Sequence, residues 1–386
     1  MKEENALVII DYNDLLQTDP NDTKDLSERL SKAFGSDPNS LGVIAIRNIP
    51  SFIETKQSFL PLAHKLAHLP TEYLEEKLTD EASMYNSGWS HGKEKLGDKP
   101  DFHKASFYFN PITDIPGSEE DRKAFPVSYP INKWPDRNEL PDLEDLGKKM
   151  GRLMRETVAL LAIHVDAYVQ SKCNSYNPSM GDEMKKTEKV KGRLLYYYPL
   201  DANADSNAES DDEDEDEVGQ DSWIGWHNDS GFFTALAGDL FVDHDTGRPI
   251  PRRDVDSNAG LIVMNRNGKT IKVDIPEDCM AVQIGECLQI ITGGIVVSTP
   301  HCVRGVDPKW DREKGSDVKV ARISFPCFVD TVPSFPLKVP DGSSRESVLD
   351  SSVEGCAKVP PLCERFVKLL QMNLGNFVCV VNFLLF

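Results

Sequence analysis

One histidine and one aspartate, separated by a single residue, could hold a divalent metal ion. They are His227 and Asp229, in the segment WIGWHNDSGFFTAL. In an extended chain, side chains two residues apart point to the same side, so the imidazole and the carboxylate would converge on one point. A second histidine would complete a triad that leaves open positions on the metal for a bidentate cofactor and dioxygen. The pair alone is a weak signal, because such a spacing also arises by chance.

His301, in the segment STPHCVRG, is the best candidate for the third ligand. It follows the strand-like segment Ile295–Ser298, and it would meet the pair if both positions line the mouth of one barrel. His244 is a weaker candidate because it sits in a turn-rich insertion. The other rivals precede the β-rich part of the chain and are His64, His68, His91 and His103.

The segment VKVARISF, Val318–Phe325, places a charged group on a predicted strand. With alternating sides, Arg322 and Ser324 share one face with two valines. A guanidinium binds a carboxylate through two parallel hydrogen bonds, and a neighbouring serine can donate a third. An unpaired buried charge costs roughly several kcal/mol, so the arginine needs an anionic partner. We predict a site for a small carboxylate, with a salt bridge to an acid of the protein as the alternative.

The hydrophobic pattern predicts a mainly β core with flanking helices. Two short buried strands come early, and helical spacing follows over residues 25–34, 51–83 and 141–172. After that, short apolar runs alternate with Gly, Pro and Asp, which is typical of a sandwich or a double-sheet barrel. The predicted strands are Ala6–Asp11, Gly42–Asn48, Gly192–Tyr198, Gly231–Leu240, Gly260–Met264, Thr270–Val273, Ala281–Ile284, Leu288–Thr292, Ile295–Ser298 and Val318–Phe325.

These patterns predict three regions. Residues 1–185 form a mixed α/β N-terminal region with a long support helix at about 141–172, and residues 186–335 form the β core. Residues 336–386 form a C-terminal cap with a helix from Val359 and an atypical hydrophobic tail. The stretch Trp89–Pro111 is polar, aromatic and rich in turn residues, so we expect an ordered loop there.

The charge is concentrated in one segment. The net charge is −20, which argues against nucleic acid as a partner. Residues 201–221 hold eleven acidic residues and no Lys or Arg. We expect a disordered, self-repelling insertion, with docking to a basic partner as the less favoured hypothesis.

Cysteine usage and hydropathy bear on location. The eight cysteines form no CxxC pair, and no stretch resembles a signal peptide or a membrane span. We therefore expect reduced thiols and a cytoplasmic protein, with a nuclear location left open.

Five motifs, in this order along the chain, resemble those of the 2-oxoglutarate- and iron(II)-dependent oxygenases. The resemblance is to the branch that includes isopenicillin N synthase and many plant biosynthetic dioxygenases. It covers most of the chain, and five ordered motifs are far more specific than any one of them. The motifs are GVIAIRNIP (42–50), RLLYYYP (193–199), GWHNDSGFFTAL (225–236), GECLQIITGG with STPHCV (285–294 and 298–303) and ARISFPCF (321–328).

The resemblance implies a fold, a cofactor set and an activity. The fold would be a distorted double-stranded β-helix, a jelly-roll barrel, as the catalytic core. The three candidate ligands would hold iron(II), Arg322 and Ser324 would bind the distal carboxylate of 2-oxoglutarate, and Tyr198 would add a hydrogen bond to it. The protein would then be an oxidoreductase that uses dioxygen to hydroxylate or otherwise oxidise a small organic molecule, with release of succinate and carbon dioxide.

The chain departs from the branch around the ligands. Tyr196 and Gly293 stand where the branch commonly has Asn, and Cys302 stands where an Arg usually follows the distal histidine. None of these changes removes a ligand. They leave open how the ligands are oriented, since neighbouring groups tune a metal site.

The substrate pocket is expected between the loop Trp89–Asn110, the barrel face and the C-terminal helix. Phe107, Tyr108 and Phe232 are the candidates for substrate contact, and plain packing is the alternative for each. Their aromatic character suggests a small, partly apolar molecule.

Other functions stay open from sequence. The chain could be an iron-dependent oxidase of the same branch that does not use 2-oxoglutarate, or a non-catalytic binding module with the acidic insertion as its interface. Two histidines and a carboxylate also suit zinc in hydrolases. Zinc hydrolysis, however, gives no role to Arg322 and Ser324.

Overall fold

The structure is a computed structural model that describes residues 6–17, 24–96, 99–200, 222–307, 310, 318–343 and 348. The acidic insertion predicted at 201–221 and the helix and tail predicted after Val359 lie outside these residues. Within the described part, no helix is both long and apolar enough to span a membrane. The five cysteines that it covers form no disulfide with one another.

Strands dominate the middle of the chain and helices flank them. The strands are β1 (Val8–Asp11), β2 (Val43–Arg47), β3 (Gly88–His91), β4 (Lys95–Leu96), β5 (Lys99–Pro100), β6 (Lys104–Phe109), β7 (Val190–Tyr197), β8 (Ser222–His227), β9 (Phe233–Asp243), β10 (Pro249–Ile250), β11 (Gly260–Met264), β12 (Thr270–Lys272), β13 (Cys279–Ile284), β14 (His301–Arg304) and β15 (Val320–Val329). The helices are α1 (Tyr12–Leu15), α2 (Lys24–Phe34), α3 (Phe52–Phe59), α4 (Leu62–Ala67), α5 (Thr71–Tyr73), α6 (Glu119–Ala124), α7 (Leu143–Lys172), α8 (Met180–Lys186) and α9 (Glu286–Ile291), with a π-helical turn at Leu74–Leu78 and 3-10 turns at Glu81–Ser83 and Arg252–Asp254.

Two sheets enclose the space in which the candidate ligands lie. The larger sheet has nine strands, in the order β1-β2-β13-β9-β15-β7-β6-β3, with β10 beside β9. The smaller has four, in the order β12-β11-β14-β8. Side chains from both sheets share two apolar clusters, one around Tyr197 and Val303 and one around Val43 and Val263. The sheets therefore pack face to face, and β1, β2, β3 and β6 of the N-terminal region extend the larger one.

The long helix predicted at 141–172 is present as α7, and it supports the outer face of the larger sheet. Its apolar stripe is buried against α2, α3, α8 and β15. Phe59 of α3 and Phe325 of β15 meet edge to face in this layer, with ring centres 4.9 Å apart. His164 is buried in the stripe, with Nε2 3.1 Å from the carbonyl oxygen of Leu15, so it is a histidine of the core.

Three local predictions were wrong. The stretch Trp89–Pro111 contains β3 and β6, and β6 lacks an alternating pattern because all six of its residues are buried. Leu288–Thr292 was predicted as a strand but belongs to α9, since a short apolar run does not distinguish a strand from a buried helical turn. Ile295–Ser298 is irregular chain, anchored by the Val297 amide, which donates to the carbonyl of Phe34 at 2.9 Å.

Candidate metal centre

The structure brings His227, Asp229 and His301 together. One ligand atom from each lies within 4.8 Å of the others. The His301 Nε2 atom is 3.9 Å from Asp229 Oδ2, and the two imidazole rings are 4.2 Å apart at 53°. Asp229 Oδ2 is buried and has no hydrogen-bond partner among the described residues. An orphaned carboxylate oxygen beside two imidazoles is the donor set that a divalent metal ion takes, so the residues fit iron(II).

Backbone carbonyls orient both imidazoles. The Nδ1 atom of His227 is 2.9 Å from the carbonyl oxygen of Gly225, and that of His301 is 3.0 Å from the carbonyl of Thr299. With Nδ1 donating to a carbonyl, Nε2 carries the lone pair that faces the other ligands. Burial and the neighbouring His301 lower the pKa of His227 to about 4, so the ring is neutral and able to bind a metal at physiological pH.

Different elements supply the three ligands. His227 ends β8 and His301 begins β14, and the two residues pair directly across the smaller sheet. Asp229 follows in the turn after β8, which the first turn of α9 holds in place. The Glu286 amide donates to the Asp229 carbonyl at 2.8 Å. The helix that the sequence pattern missed therefore fixes the ligand turn.

A glycine permits this close approach. A side chain at Gly285 would place Cβ 2.1 Å from the carbonyl oxygen of Gly231 and 3.1 Å from that of Asp229. Any larger residue would push the ligand turn away from α9.

A cavity beside the triad contains the predicted carboxylate site, Arg322 and Ser324, which we call the carboxylate grip. It encloses about 610 Å³ of empty space, open solvent included, and is lined by the three ligands together with Arg322 and Ser324. Arg322 is 4% exposed and pairs through Nη2 with Asp239, but Nε and Nη1 are buried without a partner among the described residues. Burial acts to lower the Arg322 pKa, but Asp239 outweighs it and raises that pKa, so the guanidinium is charged. Arg322 thus makes an internal salt bridge and still has two nitrogens without a partner among the described residues.

Tyr198 was predicted to reach the co-substrate, but the structure places it on the other side of the sheet. Side chains alternate along β7, and Arg193, Leu195 and Tyr197 face the cavity. The Tyr198 ring stacks on His91 at 5.0 Å instead. The ring that lies under the Arg322 guanidinium is that of Tyr197. The sequence pattern identified the correct segment but assigned the wrong set of alternate residues to the cavity face. A shift of one residue along a strand moves every side chain to the opposite face.

The candidate substrate residues do not line this cavity. Phe107 is fully buried and packs on Phe109 and Trp134. Phe232 packs on Phe335 behind the ligand turn. Tyr108 lies one layer back, where its hydroxyl donates to Glu94 at 2.7 Å. The alternative, plain packing, describes Phe107 and Phe232.

Four polar residues near the triad were missed from sequence. Arg193, Thr234 and Gln283 line the cavity, and Glu94 holds Arg193 from behind. Arg193 stands on the same face as Tyr197, so the alternation in RLLYYYP could have identified it. No sequence signal pointed to the others.

The rival histidines lie elsewhere. His64, His68 and His244 cluster outside the metal cavity, with His64 stacked on His68 at 4.0 Å. The Tyr196 hydroxyl is 2.9 Å from His244 Nδ1. Among the described residues, only the predicted triad could hold a metal ion.

We compared the chain with known proteins to identify its fold. No family model matches the sequence, and no curated protein matches it. Solved structures do match. A full-length protein from Neurospora crassa, solved in complex with alpha-KG and thymine, has a TM-score of 0.58 at 18% identity and covers 90% of this chain and 93% of that chain.

Two further structures agree. A protein from Caulobacter crescentus, described as of the 2OG-Fe(II) oxygenase family, has a TM-score of 0.58 at 16% identity over 96% of this chain and 100% of that one. The dioxygenase for auxin oxidation in rice has a TM-score of 0.52 at 16% identity over 87% of each chain. The chain therefore has the fold of the 2OG-Fe(II) oxygenases, the superfamily that its motifs resemble.

Proposed function

We propose that this protein is an iron(II)- and 2-oxoglutarate-dependent dioxygenase that oxidises a small organic molecule. Its two packed sheets would form a double-stranded β-helix, and the triad would hold the metal between them. The observation that carries the proposal is Arg322, whose Nε and Nη1 atoms have no partner among the described residues and lie in the same cavity as the triad. A metal site alone fits several activities, but a metal site beside a guanidinium with free donors fits a carboxylate co-substrate.

The residues of this chain would bind and orient the metal and the co-substrate. His227, Asp229 and His301 would hold iron(II), and Arg322 and Ser324 would take the distal carboxylate of 2-oxoglutarate. Ser324 lies two residues from Arg322 on β15, on the same face, and opposite Leu195 in register. When bound, iron and 2-oxoglutarate supply the activation of dioxygen, with succinate and carbon dioxide as products.

Apolar side chains line the same cavity as the triad and Arg322. They include Leu195, Leu236, Leu261 and Val303, which come from both sheets. The electrostatic contacts of a bound dicarboxylate are stronger beside apolar groups than in open water.

The substrate is a small molecule. The solved structures of similar fold include one with thymine bound and one of a dioxygenase for auxin oxidation. Localisation in the cytoplasm is consistent with an enzyme of this kind.

The test is a metabolite screen. The full chain, loaded with iron(II), is given 2-oxoglutarate, dioxygen and a library of small metabolites, and succinate formation is measured. We expect at least one compound to raise succinate release in the wild type and not in Asp229→Ala. Oxygen consumption without succinate would instead indicate the related oxidases that do not use 2-oxoglutarate. No turnover together with no binding of 2-oxoglutarate would contradict the proposal.

A further inference from the structure

Three polar residues form a row across the larger sheet at one end of the cavity. They are Arg193 on β7, Thr234 on β9 and Gln283 on β13, and all three line the cavity. Thr234 pairs in register with Gln283, and Arg193 lies on the far side of β15, next to the bulge between Ser324 and Pro326. We call these three residues the polar row.

The polar row lies on the side of Ser324 that is away from Arg322. Tyr197, which pairs with Arg322 across the strands, is four residues from Arg193 along β7, a distance of about 13 Å at strand spacing. The charge of Arg193 contributes to the lowered pKa of His227, so the row lies within electrostatic range of the metal ligands. A molecule bound at the row would sit beside the metal without displacing the co-substrate from Arg322.

Two guanidinium nitrogens of Arg193 are hydrogen-bonded to described residues, and the third is not. Its Nε atom donates to Ser106 Oγ at 3.0 Å, and its Nη2 atom donates to both Glu94 carboxylate oxygens at 2.7 and 2.8 Å. Its Nη1 atom makes no hydrogen bond to a described residue. The residue is 7% exposed and lines the cavity, and its ion pair with Glu94 holds this donor in a fixed position.

Gln283 supplies a second free donor. The residue is 2% exposed, and its Nε2 atom is buried without a hydrogen-bond partner among the described residues. A buried unpaired amide destabilises a fold, and a leucine of similar volume would fill the position without that penalty. An amide at this place is explained by a ligand that accepts its hydrogen bond.

The charge of Arg193 is already balanced. Glu94 pairs with it, and Lys104 contacts both Glu94 and Asp101. Burial lowers the pKa of Lys191, two residues before Arg193 on the same face, to about 7, so that amine is only partly charged at neutral pH. No full positive charge is left over for an anion among these described residues, whereas two hydrogen-bond donors are.

We propose that the polar row binds the substrate, and that the substrate is a neutral small molecule with carbonyl oxygens, such as a cyclic amide or imide. A carboxylate would meet donors whose charge is cancelled, and it would lie near the Glu94 anion. A neutral carbonyl accepts the same hydrogen bonds without that repulsion. This inference rests on the proposed function and narrows its substrate class.

The test compares neutral probes with carboxylates of the same ring. The full chain, saturated with iron(II) and 2-oxoglutarate under nitrogen, is titrated calorimetrically with thymine against uracil-5-carboxylate, nicotinamide against nicotinate, and indole-3-acetamide against indole-3-acetate. We expect the neutral member to bind at least about tenfold more tightly in every pair that shows binding. Tighter binding of the carboxylates, or no binding of any neutral member, would overturn the inference.

A substitution at Gln283 tests whether the polar row causes the preference for neutral probes. Gln283→Leu should weaken the neutral probe about tenfold, leave the dissociation constant of 2-oxoglutarate unchanged and keep or raise the melting temperature. Gln57→Leu, on the exposed face of α3, is the matched control and should change none of these values. Unchanged probe binding in Gln283→Leu would overturn the role of the row.

The two proposals fail in different ways. If wild-type protein with iron(II) does not bind 2-oxoglutarate, the proposed function fails. If it binds 2-oxoglutarate but not the neutral probes, only the inference fails.

Discussion

The Arg322 guanidinium lies over the ring of Tyr197, 4.7 Å from the ring centre, and the two residues pair across neighbouring strands. This contact packs the face of the guanidinium on the ring and restricts its position beside the cavity that it lines. Asp239 takes Nη2, and the remaining nitrogens are free of partners among the described residues. The carboxylate grip is therefore built before any ligand arrives.

Tyr197 and Tyr198 form a matched pair for testing this grip. If the Tyr197 hydroxyl reaches the co-substrate, Tyr197→Phe should weaken 2-oxoglutarate binding by about twofold to tenfold, the range of one hydrogen bond. Tyr198→Phe should leave it unchanged, because that ring stacks on His91 on the other face. Anaerobic calorimetry on iron-loaded protein measures both. A loss only in Tyr198→Phe would contradict the assignment.

Asp239 places a negative charge beside the part of the cavity where the co-substrate carboxylate would bind. Replacing the carboxylate in Asp239→Asn removes a negative charge beside the dicarboxylate site, so 2-oxoglutarate should bind about threefold to tenfold more tightly. The same titration measures the change. Weaker binding would mean that Asp239 positions Arg322 more than it competes with the ligand.

The metal site makes a prediction that does not depend on turnover. Asp229→Ala should lower iron(II) affinity by on the order of 100-fold or more, since even groups behind the ligands contribute up to about that much. His244→Ala is the matched control, because His244 lies in the separate cluster around His64 and His68. Equilibrium dialysis under nitrogen gives both affinities. Equal losses in the two variants would point to a general effect on the fold.

Glu94 carries a pH-dependent part of the stability. Burial acts to raise its pKa, but Arg193 and Lys104 outweigh burial and hold the pKa at about 2, below the ordinary 4.5. A depressed carboxyl pKa stabilises the fold fully above about pH 4.5, and this contribution is lost as pH falls towards 2. Glu94→Gln should therefore cost roughly 3 kcal/mol at pH 7, with the difference from wild type shrinking on acidification.

Urea unfolding from pH 7 down to pH 3 measures that difference. Glu119→Gln is the control, since the Glu119 ion pair with Lys123 is exposed and should contribute almost nothing. A difference for Glu94→Gln that stays constant across the range would show that its effect is not electrostatic.

The fold could be predicted from sequence where the hydrophobic period was clear. The helix over 141–172 appears at Leu143–Lys172 because its apolar stripe persists over about eight turns. The pattern failed where burial is complete, as in β6, and where a run is too short to show a period, as in α9. In both places tertiary packing decides the structure, and packing leaves no periodic trace in the chain.

The site could be predicted where chemistry restricts the residue type. A metal needs His and Asp, and a carboxylate needs Arg, so His227, Asp229, His301 and Arg322 stand out. A run of three tyrosines does not show which of them face the cavity, because no polar and apolar residues alternate there. For this reason Tyr198 was assigned to the wrong face of β7. Gln283 could not be found at all, because an amide in a strand is unusual only once its burial and lack of a partner among the described residues are known.

The most direct measurement of the central claim is anaerobic binding of 2-oxoglutarate to the full chain, with and without iron(II), in the wild type and in Arg322→Met. We predict tight binding of 2-oxoglutarate only when the metal and Arg322 are both present. Arg322→Met should lower the affinity about tenfold to 100-fold, as expected for a charge-assisted bidentate contact. Equal binding to wild type and Arg322→Met, or binding that does not depend on iron(II), would contradict it.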